Sequence, residues 1–262
     1  MPQKRKRVKN PSIALLNSRR LKQLYSSMLK CRMVQKQARG VSRAFGQEAT
    51  EVGATLDLLR DDFIAPSGRE FVFRFMRGES LQSVFARLRA TEIGSPSCIL
   101  SLAGPVAERL SLATGTALAC RWQKQSKVVV AFASEDAPSE IFPHHTLAFA
   151  SRHKLPIVYV IQHSFRVRSA KRTRDYGMPS IMVDGNDVVA VYRVTQEAIR
   201  RAREGHGPAL IHCQNLGAGD PLKFMENYLK QKCLWSDSWE QKIANAFKRE
   251  LRQAVAAAKR IR

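Results

Sequence analysis

Two apolar runs, Val128-Val-Val-Ala-Phe132 and Leu155-Pro-Ile-Val-Tyr-Val-Ile161, constrain the architecture of this chain more than any other feature. Each is a short block of β-branched and aromatic residues without polar alternation, the pattern of a strand buried on both faces. Between them, His144 to Arg152 carries helical spacing. A strand, a helix and a second strand in so short a span require a crossover, and the right-handed crossover makes the two strands parallel. Parallel strands are covered by helices on both faces. The fold class is therefore α/β, a parallel, doubly wound sheet with helices on both faces.

The remaining segments extend this pattern. Phe63-Ile64-Ala65, after the Asp61-Asp62 turn and before Pro66-Ser67-Gly68, reads as a short strand. Ile181-Met-Val183 and Ala209-Leu-Ile-His212 read as two more. Helical periodicity runs from Ile13 to Ala38 with Ser12 as its cap, and again from Phe45 to Leu59. In the second of these, Gly46, Ala49, Gly53 and Ala54 permit close approach by a neighbour. Ser80 to Leu88, Ala107 to Gln123, Val188 to Glu204, Met225 to Leu229 and Ser238 to Lys259 complete the helices, the third capped by the Asp184–Asp187 turn. Residues 1–12 read as a disordered basic arm and residues 13–262 as one domain with C-terminal helices.

Charge bounds the partners. The formal net charge is +22, clumped at Lys4-Arg5-Lys6-Arg7 with Lys9, at Arg166 to Arg174, and at Lys259, Arg260 and Arg262. Such a field attracts nucleic acids, anionic membranes, acidic proteins and phosphorylated ligands alike. Neither aromatic interleaving nor a known reader motif accompanies the runs, so solvated basic surface is the plain reading and nucleic acid or an acidic protein the alternatives. No apolar run approaches the ~20 residues of a membrane helix, and no apolar stretch follows the charged start, so neither a membrane segment nor a leader is expected. Cys31, Cys98, Cys120, Cys213 and Cys233 stand far apart, which suggests free thiols in a reducing cytoplasm.

The loop after Phe132 raises the functional question. In strand–loop–helix units the loop at the carboxyl end of the strand holds phosphates, with glycines that let backbone amides approach. Here it reads Ser134-Glu135-Asp136, two carboxylates and no glycine.

Several stretches bear on this. LYSSMLKCRMVQKQA (Leu24 to Ala38), FGQEATEVGATLDLLRDDFIAPSGRE (Phe45 to Glu70), LATGTALACRWQ (Leu112 to Gln123) and YGMPSIMVDGNDVVAVY (Tyr176 to Tyr192) occur in one order. In that order the chain resembles the alpha subunit of the first, decarboxylating component of thiamine-diphosphate-dependent 2-oxo acid dehydrogenases, of the pyruvate and branched-chain type. The resemblance covers most of residues 20 to 250. It implies the thiamine-diphosphate-binding fold, thiamine diphosphate and Mg²⁺ as cofactors, a beta-type subunit as partner, and a lipoyl acyltransferase core as the acceptor of the acyl group. The beta chain of that family supplies the glutamate that activates the aminopyrimidine.

The resemblance also implies where the cofactor residues fall. The family's Gly-Asp-Gly lies over Ser134-Glu135-Asp136, its next asparagine over Ser139, and its metal-binding asparagine over Ser164. Glu135 and Ser164 are thus the implied metal ligands, and Glu135, Asp136 and Ser139 flank the implied diphosphate. Arg69 matches the arginine that reaches the diphosphate, but the histidine two residues on is Phe71. The family's Gly-Ile-Val-Gly lies over Gly104-Pro105-Val106-Ala107, keeping Gly104 and Val106 as implied cofactor contacts. The segment from Ile211 to Asp220 lacks the family's His-Gly-His-Ser. A serine hydroxyl is a weaker magnesium ligand than an amide, and Asp136 sets a negative charge where the diphosphate belongs. No catalytic residue is assigned. His144 and His145 on the crossover helix suit structural roles, and His163 and His212, at strand ends, match no functional position of the family. The sequence supports three readings: a diverged, weakly or non-catalytic alpha-type subunit, a working alpha subunit with a variant metal–diphosphate site, and a basic binding module on a reused fold.

Overall fold

The computed structural model describes residues 16–38, 46–68, 70–88, 98–100, 104–134, 143–163, 176–215 and 219–260. Its centre is a five-stranded sheet of β1 (Phe63–Ala65), β2 (Val129–Ser134), β3 (Ile157–His163), β4 (Ser180–Asp184) and β5 (Ala209–Gln214). All neighbours are parallel, in the order β1-β2-β3-β5-β4. The two founding runs lie at its middle, and β3 is buried along its whole length. Both extend past their apolar blocks, β2 to Ser134 and β3 to His163, because the ladder pairs Ser134 with Gln162 and His163 with Gln214. Backbone pairing holds polar residues there that composition does not mark as strand.

Alternation along the strands divides the core into two faces. Val129, Ala131, Ile157, Tyr159 and Leu210 pack against α5 (Val106–Trp122) and α6 (His144–Arg152). Val130, Phe132, Val158, Val160 and Ile211 pack on the other side, against α2 (Glu48–Thr55) and α7 (Val188–Arg203). The small residues of α2 act as their spacing predicted. A Cβ on Gly53 would stand 2.9 Å from Val191 Cγ1 and 3.1 Å from the Tyr192 nitrogen, so only glycine allows these two helices their separation.

A third layer covers α2 and α7: α1 (Ser18–Gln37), α3 (Glu70–Met76), α4 (Leu81–Arg87), α8 (Pro221–Gln231) and α9 (Asp237–Arg260), around Leu24, Met28, Phe71, Val84, Met225 and Phe247. The Gly-Gln-Glu-Ala stretch contributes to this packing. Fully buried Glu48 takes two bonds from the Arg32 guanidinium, at 2.9 and 3.0 Å, and one from the Gly46 amide at 3.0 Å. Arg32 also holds Asp220 at 2.6 Å, tying α1 and α2 to the cap of α8.

Four boundaries depart from the sequence reading. Helix α1 starts at Ser18, where the Asn17 side chain accepts from the Arg20 amide, and Leu16 and Asn17 are not helical. Helix α2 is confined to Glu48–Thr55, its end turning at Leu56 and Asp57. Helix α3 had no counterpart, since EFVFRFM is short and rich in aromatic residues of modest helix propensity; burial of Phe71, Val72 and Phe73 overrides that. Helix α8 reaches back to Pro221, capped by Asp220, whose side chain accepts from the Leu222 amide at 2.9 Å. The expected basic arm, the Ser12 cap, Phe45 and the Arg166–Arg174 run lie outside the described residues.

The amino edge of the sheet is locked electrostatically. Fully buried Asp62 receives two bonds from Arg203 at the end of α7, at 3.0 and 2.7 Å. It also accepts from the Leu59 and Val128 amides at 2.8 and 2.9 Å. The carboxyl edge is left for a site.

Candidate functional site at the carboxyl edge of the sheet

In parallel sheets ligands bind beyond the carboxyl ends of the strands, where neighbouring connections diverge. That divergence falls between β3 and β5, because the chain passes from β3 over β5 to β4 and then returns. The strand ends there are polar. Ser134 pairs with Gln162, Gln162 with Cys213, and Gln214 with both His163 and Asp184.

Gln162 is 3% exposed, on the face shared with Val158 and Val160. Its Oε1 accepts from Ser67 Oγ, beyond the end of β1, at 3.5 Å, and its Nε2 has no hydrogen-bond partner among the described residues. A buried amide so weakly satisfied costs about 1–3 kcal/mol. Sequence reasoning did not select Gln162 or Ser67 as site residues. The available signal was the first polar residue in an otherwise apolar buried strand.

His163 and His212 lie on the opposite face. His163 Nε2 and His212 Nδ1 are 2.9 Å apart, with ring centres 5.2 Å apart and planes 25° from parallel. That is the geometry of two imidazoles joined end to end, so one ring donates and the other accepts. The two facing nitrogens hold one proton between them, so this contact is a hydrogen bond rather than a pair of metal ligands. These two histidines, separated in sequence, are brought together by the β3–β5 ladder. His144 Nδ1 instead meets the Tyr176 hydroxyl at 2.5 Å, fastening the approach to β4 onto α6, a structural role as its position suggested. Cys213 is no nucleophile: burial pushes its thiol up to about 12.

Of the sequence-selected residues, Gly104 and Val106 lie within the described residues, at the head of α5. Gly104 has φ +101°, a conformation glycine adopts freely. A Cβ there would meet Glu108 Oε2 at 2.7 Å, so the Glu108 carboxylate lies against the glycine in the first turn of the helix. Val106 is buried in the cluster between α5 and the sheet. Arg69, Glu135, Asp136, Ser139 and Ser164 lie outside the described residues, although Ser134 at the tip of β2 and His163 at the tip of β3 fix the strands they follow. Phe71, at the family's histidine position, is 5% exposed in the outer-layer core, where it offers a ligand nothing polar.

Of the positions at which the resemblance places the cofactor, the described residues include only Gly104 and Val106. A carboxylate occupies the head of α5, where a helix N-terminus would otherwise favour an anion. No group of three or more His, Cys, Asp or Glu able to hold a metal occurs among the described residues.

Comparison with known proteins places the chain. The model of the Dehydrogenase E1 component family matches residues 20–219. The alpha subunit of 3-methyl-2-oxobutanoate dehydrogenase from Mycobacterium tuberculosis is 31% identical over 252 residues, covering 80% of this chain and 69% of that one. The pyruvate dehydrogenase E1 component subunit alpha of Acholeplasma laidlawii is 28% identical, over 82% of this chain and 74% of its own length. The 2-oxoisovalerate dehydrogenase subunit alpha of Bacillus subtilis is also 28% identical, over 75% and 74%. A solved structure of a candidate thiamin diphosphate-dependent enzyme from Mycobacterium smegmatis aligns with a TM-score of 0.45 at 13% identity, over 66% of this chain and 32% of that one. The chain, with its parallel α/β sheet, belongs to the dehydrogenase E1 component family, as an alpha-type member of a group whose cofactor is thiamine diphosphate.

Proposed function

We propose that this protein is a diverged alpha-type subunit of a 2-oxo acid dehydrogenase first component, weakly or non-catalytic by itself, that keeps the fold and pairs with a beta-type subunit. The observation that carries this reading is the end of β2. The strand runs to Ser134, over which the family's Gly-Asp-Gly begins, and Glu135 and Asp136 follow it. Ser134 and Asp136 in place of the two glycines deny a diphosphate close backbone approach, and the Asp136 carboxylate opposes its charge. Phe71 in the core and Glu108 against Gly104 point the same way. Any activity the pair retains would be decarboxylation of a 2-oxo acid with acyl transfer to a lipoyl group on an acyltransferase core. The free cysteines support a reducing compartment such as the cytoplasm.

Calorimetric titration with thiamine diphosphate and Mg²⁺, with and without a beta-type chain, tests the reading. No heat is expected from the folded chain alone. Micromolar, magnesium-dependent binding that disappears in Glu135→Ala would overturn it and establish a variant metal–diphosphate site at Glu135.

A further inference from the structure

The sequence shows the basic runs but not how the fold sorts its cations. On α9 it sorts those whose side chains are described. Lys242, Lys248, Arg249, Arg252 and Lys259 are all exposed. At 3.6 residues per turn they occupy one sector of about 120° along ~25 Å of helix. Phe247, Leu251 and Ala258 form the opposite, buried side, which packs beneath α1 and α4. The helix carboxylates, Asp237, Glu240 and Glu250, lie outside that sector, and none of the five cations forms an ion pair among the described residues.

The flank beside α1 adds to the field. Helix α1 has basic residues and no acidic one from Ser18 to Gln37. Lys22 and Lys30 lie over the Trp239 and Phe247 rings of α9, at 5.1 and 5.4 Å from the ring centres.

We propose that the outward face of α9 is a docking surface for the phosphate backbone of a nucleic acid. Charge complementarity admits any polyanion, and the absence of an apolar centre selects among them. Stable protein interfaces have an apolar or aromatic core within a polar rim, whereas phosphate recognition is polar and strongly positive throughout. Among the described residues the exposed large apolar side chains lie on α5, α6, β4, α8 and after α2, and none lies on α1 or α9. The surface lies on α9, whereas the carboxyl-edge residues lie at the ends of β2, β3 and β5, so binding there is tested separately from the cofactor question. Backbone contacts of this kind carry no base specificity.

The test is fluorescence anisotropy of a short labelled DNA duplex against the full chain across a salt series, with labelled poly-L-glutamate as second probe. Five phosphate contacts predict a slope of log K against log salt near −4.5 from this face alone. Changing Lys242, Lys248, Arg249, Arg252 and Lys259 to glutamine should remove about that much slope and weaken binding at low salt by about a thousandfold or more. The milder Arg249→Gln/Arg252→Gln pair should remove about 2. Circular dichroism confirms folding of each. Replacing Lys4, Arg5, Lys6, Arg7 and Lys9 by glutamine should leave the contribution of α9 in place. The proposal is overturned if the α9 variants keep the wild-type slope, if the duplex does not bind at low salt, or if poly-L-glutamate binds more tightly than the duplex with the same dependence on α9.

Discussion

Arg203→Ala isolates the interaction that closes the amino edge of the sheet. Asp62 is fully buried and joins the start of β1 to the start of β2, through the Val128 amide, and to the end of α7, through Arg203. Removing one partner of a buried ion pair costs ~3–5 kcal/mol because the other charge stays desolvated. Two features reduce that here. Asp62 keeps the Leu59 and Val128 amides, and the Arg203 side chain is 22% exposed, so water reaches the vacated position. The expected loss is about 2–3 kcal/mol, which for a chain of this size lowers the Tm by roughly 5–10 °C. Urea unfolding followed by circular dichroism measures the loss directly. A double-mutant cycle with Asp62→Asn separates the charge pair from the packing of the arginine stem. The coupling should exceed about 1 kcal/mol, since the neutral amide no longer strands a buried charge. An equal cost of Arg203→Ala in the wild-type and Asp62→Asn backgrounds would refute this reasoning and assign the whole effect to the alkyl stem.

Other perturbations have defined outcomes. Phe71→His, which restores the family's residue, should destabilise by about 2–4 kcal/mol by thermal melting and confer no thiamine diphosphate heat, because it places an imidazole in the outer-layer core. Gly53→Ala should cost about 1–2 kcal/mol although alanine is the better helix former, since its methyl meets Val191 and the Tyr192 backbone; a stabilised variant would show that α2 and α7 yield easily. Glu79 supplies a pH test. Burial alone would raise its pKa, but hydrogen bonds from Ser83, Arg74 and Arg87 outweigh burial and hold it below the ordinary 4.5. A depressed folded pKa contributes stability that is present above the unfolded value and is lost as pH falls through the folded one. Wild type should therefore lose stability below pH 4.5 more steeply than Glu79→Gln in paired urea titrations, and parallel curves would remove Glu79 from the account.

The strand core was legible because nothing but a buried strand accommodates Val128–Phe132 or Leu155–Ile161, and the crossover helix between them dictated parallel pairing. A cap was legible where a side chain makes the bond locally, as at Asp187. The family was legible in Gly46–Ala49 and Tyr176–Tyr192, which the matched residues 20–219 include. Helix α3 was not legible, since its stability comes from burying Phe71 and Phe73 in two different clusters rather than from its own periodicity.

Sequence alone thus determined the fold class and the alpha-type lineage, because both are written in neighbouring residues. Only the tertiary structure decided which distant groups meet. It set His163 against His212 across the β3–β5 ladder, placed the Gln162 amide in the core beside Ser67, joined Asp62 to Arg203, and turned the cations of α9 outward. The physical reason is the same in each case: these contacts depend on strand register and on which side of a helix the core claims, and both are set by burial summed over the whole chain.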